Sequence, residues 1–187
     1  MKSWNSGALI AALMMVWVAG TTAEPLVREE GEGSVRWILE APRRVESFRL
    51  KTARPDAPPE DPPSKRVGTY VIDHAGPALT LEQSAEAAKL LLRVERGTGP
   101  AKACDPQPGV ALRFVRGGHT FEAAICFECT LVVEYVDDKT VKTEDFTAVR
   151  APLLKLLRLL FPKDAAIQGI KAEGESVGVE RALTHRP

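Results

Sequence analysis

The fold turns on one stretch, Cys104-Asp-Pro-Gln-Pro-Gly-Val110-Ala-Leu-Arg-Phe-Val-Arg-Gly117-Gly-His-Thr-Phe-Glu-Ala-Ala-Ile-Cys126-Phe-Glu-Cys129. Val110, Leu112 and Phe114 alternate with Ala111, Arg113 and Val115, the period of two that marks a half-buried strand. Gly117-Gly118 follows, and two glycines take the positive φ that a tight hairpin turn requires. Closing the hairpin there pairs Arg116 with His119 and Leu112 with Ala123. One face then carries Val110, Leu112, Phe114, Phe121, Ala123 and Ile125, all apolar. The other pairs Arg113 with Glu122, an opposite-charge cross-strand pair worth ~0.2–1 kcal/mol. A slip of one residue would push Arg113 into the core, so the register is well specified.

Carrying the alternation onward predicts Phe127, Cys129, Leu131, Val133 and Tyr135 on the core face, with Cys126 and Glu128 opposite. Residues three apart on a flat strand face opposite ways, so a Cys126–Cys129 disulfide would need a turn or a severe bulge. Cys104 precedes the first strand, and ideal pairing sets it across from Leu131. Pro106 and Pro108 make that approach irregular, because neither donates to a sheet ladder. Cys104 can reach either later cysteine. Cys129, nearer in register, is the favoured partner, and Cys126 is the alternative.

The compartment decides how the three cysteines are read. Lys2 is followed by an apolar run over residues 8–18 and by small residues up to Ala23. These are the parts of a secretory signal peptide, with cleavage expected before Glu24. The run falls short of the ~20 residues a membrane-spanning helix needs. An exported chain, periplasmic or extracellular, meets oxidising conditions, where neighbouring thiols form disulfides by default. With three cysteines, one sulfur is left over. Formal charges balance, and loss of Lys2 with the leader puts the remainder at −1. Such a chain has no field to draw nucleic acid or anionic lipid. Neither partner is expected, nor stable membrane insertion after cleavage.

The remaining elements follow from local pattern. Residues 24–33 read as a loose N-terminus, and residues 35–39 and 45–50 as two short strands around Pro42. Residues 53–66 carry five prolines among acidic side chains, an extended loop. Residues 67–73 read as a third strand. Thr80 and Gln83 form a capping box for a helix in which Leu81, Ala85, Ala88, Leu91 and Leu92 recur at helical spacing, ending near Arg96. Asp137-Asp138 marks a turn before a short strand at residues 140–142. Phe146, Val149, Leu153, Leu156, Leu157 and Leu160 trace one face of a last helix, which Pro152 forces to start late or bend. The fold class is α+β: an antiparallel sheet of about four to six strands with two helices packed on one face. One domain over residues 34–170 is expected, then a polar tail at residues 171–187.

Nucleotide-binding glycine loops, the His-Glu-x-x-His zinc motif and the Gly-x-Ser-x-Gly elbow do not occur in the sequence. Glu60-Asp61, Asp137-Asp138 and Glu144-Asp145 read as loop or helix-start carboxylates, so no catalytic residue is expected. Two sharper chemistries attach to the cysteines. One is thiol exchange at Cys126-Phe-Glu-Cys129, although active pairs of this kind usually open a helix and this one lies in a strand environment. The other is zinc held by Cys104, Cys126 and Cys129 with His74 or His119 as fourth ligand, lacking the second closely spaced pair such sites usually have.

Cys104, Pro106, Gly109, Cys126, Phe127 and Cys129, with the Leu-rich helix ending Phe161-Pro162, resemble a family of small uncharacterised, often exported bacterial proteins. The resemblance covers residues 104–161. Where such proteins often carry a Pro-x-His arrangement, this chain has Gln107-Pro108. That family implies a domain and no activity. The expectation is a disulfide-stapled, non-catalytic exported protein with no cofactor, binding a protein, an envelope component or a small ligand at the sheet or the cysteine end of the hairpin. The alternatives are a metal or thiol-redox role for the cysteines, and inhibition of a secreted hydrolase through the proline-rich loop.

Overall fold

In a computed structural model, residues 31–51, 62–94 and 104–172 are described. The leader, most of the 53–66 loop and the tail beyond residue 172 lie outside them.

Helix α1 spans Val35–Glu40, and strand β1 spans Arg44–Leu50. Residues 35–39 are thus helical, correcting the strand expected there. Ser34 caps the helix by accepting from the Trp37 amide, and Val35, Ile38 and Leu39 are buried at helical spacing. A short apolar run fits either structure, and the capping serine decides it. After a 3-10 turn at Pro63–Lys65 come β2, Arg66–Val67, and β3, Tyr70–Ala75. The single strand expected at residues 67–73 is therefore a tight hairpin with Gly68 at φ +53° in its turn. A Cβ on Gly68 would lie 2.1 Å from the Tyr135 ring, so only glycine fits.

Helix α2, Leu81–Val94, opens with the expected capping box: the Thr80 and Gln83 side chains accept from each other's backbone amides. Its buried stripe is Ser84, Ala87, Ala88, Leu90, Leu91 and Val94, whereas Leu81 and Ala85 are exposed. The register is rotated from the expected one.

Strands β4, Val110–Arg116, and β5, His119–Cys126, pair in the expected register, including Leu112 with Ala123 and Arg113 with Glu122. The return strand then stops. Residues 127–130 turn, with Thr130 at φ 56°, and β6 runs Leu131–Val136. Cys126 pairs with Leu131 and Ile125 with Val132, and cross-strand partners share a face. The turn therefore reverses the parity: Leu131, Val133 and Tyr135 leave the face of Ile125 for that of Ala124 and Cys126. This corrects their expected placement. Asp137 and Asp138, both at positive φ, join β6 to β7, Lys139–Asp145, longer than the strand expected at residues 140–142. Helix α3, Arg150–Leu160, follows, and Pro152 sits in its first turn, where its missing N–H costs nothing. A short α4, Ala165–Gln168, was not anticipated.

The result is a mixed α/β architecture with a seven-stranded antiparallel sheet ordered β2-β3-β1-β4-β5-β6-β7, more strands than expected. One cluster joins Ile38, Leu90, Leu91, Leu153 and Leu157 of the helices to Val45, Leu112, Phe114, Phe121, Ala123 and Ile125 of the sheet. The sheet also curls. Val67 and Tyr70 at one margin pack with Phe48, Ala111, Ala124, Val133 and Tyr135 on the opposite face. Among the described residues no helix is long and apolar enough to cross a membrane.

Candidate functional site

Cys104 and Cys129 are joined in a disulfide with Cα atoms 6.1 Å apart, leaving Cys126 free and buried. The bond closes a 25-residue separation, worth about 3 kcal/mol by loop entropy. Arg150 pins the turn that bears Cys129, donating to the Phe127 carbonyl at 2.7 Å and the Thr130 hydroxyl at 3.3 Å. Its guanidinium lies 5.1 Å from the centre of the Phe127 ring, which meets Phe146 edge-on. From the other side, the Tyr70 hydroxyl donates to the Pro106 carbonyl at 3.1 Å.

The histidines stand elsewhere. His119 sits at the glycine turn, 2.8 Å from Asp137 Oδ2, and seven residues of strand place it ~23 Å from Cys126. His74 lies on β3, bonded to the neighbouring Asp73. With Cys104 and Cys129 bonded to each other, two of the sulfurs considered as zinc ligands are not thiolates. Among the described residues no three His, Cys, Asp or Glu side chains gather as a metal ion requires.

A recess of about 170 Å³ opens at the cysteine end of the hairpin. Val110, Ile125 and Phe127 line it from the sheet, and Ala166, Ile167 and Ile170 from α4 and the residues after it. Arg49, Gln107 and Glu128 supply its polar groups. Asp164 positions α4 twice over: it caps the helix by accepting from the Ile167 amide, and its other oxygen pairs with Arg49 Nε at 2.6 Å. Arg49 also donates to the Gly109 carbonyl, which fixes the entry of β4. Arg158 of α3 donates to the Gln168 and Ile170 carbonyls, holding the outer wall. Arg49 and Asp164 cancel, so the recess presents an apolar interior with Glu128 as the remaining charge on its rim. A drug-sized ligand occupies ~300 Å³ or more. A cavity of ~150 Å³ takes one benzene ring. This recess is sized for one large apolar side chain.

A second cavity, about 270 Å³, lies on the other face among Arg44, Pro63, Ser64, Arg113, Val115, Thr120, Glu122, Asp137 and Asp138. Its floor is the Arg113–Glu122 pair, expected at the surface but 14% and 4% exposed, with Nε and Oε1 2.6 Å apart. The groups here serve the curl. Glu122 accepts from the Gly68 amide, and Arg113 donates to the Arg66 and Pro63 carbonyls, so the pair fastens β2 and the residues before it onto β4 and β5. Arg66 reaches across to Asp138 at 3.0 Å. Burial raises the Glu122 carboxyl above its ordinary 4.5, and Arg113 beside it only partly opposes this. Removal from water outweighs the ion pair.

The sequence located the cysteine end and missed the walls of the recess. Asp164 before Ala-Ala-Ile167 is an N-cap signal that reveals α4. The approach of α4 to Arg49 has no local signal. Compared with protein-family models, with curated proteins and with solved structures, the chain matches none of them.

Proposed function

We propose that this is an exported, disulfide-stapled binding protein that acts without catalysis, receiving one apolar side chain of a partner protein in the recess at the cysteine end of the hairpin. The observation that carries this reading is the size and lining of the recess: about 170 Å³, apolar inside, with polar groups at Arg49, Gln107 and Glu128. A buried anchor side chain surrounded by a polar rim is the usual centre of a protein interface. The sequence of the leader and the Cys104–Cys129 bond both fit an oxidising compartment.

Titration with p-cresol, followed by amide NMR shifts, tests the recess directly. Shifts should cluster at Gly109, Val110, Ile125, Phe127 and Ile170 and vanish in Ala166→Trp, which fills the space. A displayed peptide library should enrich a single large apolar residue in a polar context, with capture lost in the same variant. Shifts scattered over the surface, or peptides that bind Ala166→Trp equally well, would overturn the reading.

A further inference from the structure

The free thiol of Cys126 sits next to the staple. Cys126 ends β5 and pairs with Leu131 at the start of β6, so four residues close the turn. Cys126 and Cys129 are three residues apart across it. Cys126 stands just before that turn and Cys129 within it. The extended strand that forbade this pairing on sequence grounds is absent here. Cys126, Cys129 and Leu131 also pack as a cluster of their own, apart from both larger cores. Cys126 is 1% exposed, whereas Cys104 is exposed.

We infer that Cys129 carries either of two disulfides, trading Cys104 for Cys126 by internal exchange. The Cys126 thiol gives up its proton and its thiolate attacks Cys129 Sγ. The bond to Cys104 breaks, the electron pair departs on Cys104 Sγ, and that sulfur takes up a proton. One S–S bond is lost and one gained, with no external oxidant or reductant. The free thiol thereby moves from a buried position to an exposed one, where it is open to a mixed disulfide with a second protein. The fold holds the Cys104–Cys129 form as the major one. The Cys126–Cys129 form is the minor partner, drawn off when Cys104 is captured. This inference is independent of what the recess binds.

The test is disulfide mapping of the native full-length protein during incubation with iodoacetamide, each time point quenched in acid to stop thiolate exchange. Trypsin separates Cys104, on residues 103–113, from Cys126 and Cys129, on residues 117–139. Expected is growth of alkylated Cys104 together with an internally linked 117–139 peptide. Cys126→Ser should leave Cys104 unlabelled. Cys104→Ser should form the Cys126–Cys129 link in oxidised glutathione. The inference is overturned if wild-type connectivity never changes, if only Cys126 is labelled while the two peptides stay linked, or if Cys126→Ser labels Cys104 as wild type does. It is also overturned if Cys104→Ser keeps both thiols.

Discussion

The two sides of the β4–β5 hairpin are both closed to water, by opposite means. On one, Phe114 and Phe121 lie 5.9 Å apart between centroids and join a cluster reaching all four helices α1 to α4. On the other, Ala111 and Ala124 flank an ion pair whose remaining hydrogen bonds go to the backbone of a strand folded over from the margin. The apolar side loses stability in proportion to the volume removed. The charged side is conditional, because deleting either partner strands the other. Carbon packing built the first enclosure, and saturation of polar groups built the second.

Phe114→Ala should break the apolar side most severely, at about 3–5 kcal/mol in urea unfolding, since its ring is fully buried. A loss under ~1 kcal/mol would mean the helices do not seal that face. On the charged side, Arg113→Ala should cost about 3 kcal/mol by leaving Glu122 buried without its partner. The double change Arg113→Met with Glu122→Leu should return within ~1 kcal/mol of wild type, since apolar replacements of buried pairs are often neutral. A double variant as unstable as Arg113→Ala would show instead that the bonds to the Pro63 and Arg66 carbonyls dominate.

The smallest effect is in pH. Because burial raises the Glu122 carboxyl, the folded state keeps a proton that the unfolded state has lost. Its stabilising contribution is complete below the ordinary 4.5 and is lost as pH rises through the raised folded value. Urea midpoints of wild type minus Glu122→Gln, followed from ~pH 4 to ~pH 7, should therefore decline. A difference that grows with pH would mean that Arg113 outweighs burial.

This contrast also explains what was legible in the sequence. Val110, Leu112 and Phe114 state their face by alternation, and Gly117-Gly118 sets the register. Nothing comparable marks the turn at residues 127–130. Phe-Glu-Cys-Thr contains neither glycine nor proline, so the reversal of face at Leu131, Val133 and Tyr135 was hidden. The burial of Arg113 depends on residues about fifty positions away, which no local window contains. Among site residues, the Cys104–Cys129 bond is the favoured pairing, although the strand whose register favoured it ends at Cys126, while Arg49 and Asp164 met through tertiary packing alone.

The seat of Gly68 against the Tyr135 ring has a further consequence for how copies of the molecule meet in solution. It tucks β2, one terminal strand of the ladder, against its own sheet, where it is shielded from a neighbour's backbone. The other terminal strand, β7, keeps a long outer rim bearing Lys139, Lys142, Glu144 and Asp145, and charged side chains there discourage strand-by-strand growth between molecules. An architecture with many strands thus presents one extended rim to its surroundings, and that rim carries charged guards of both signs.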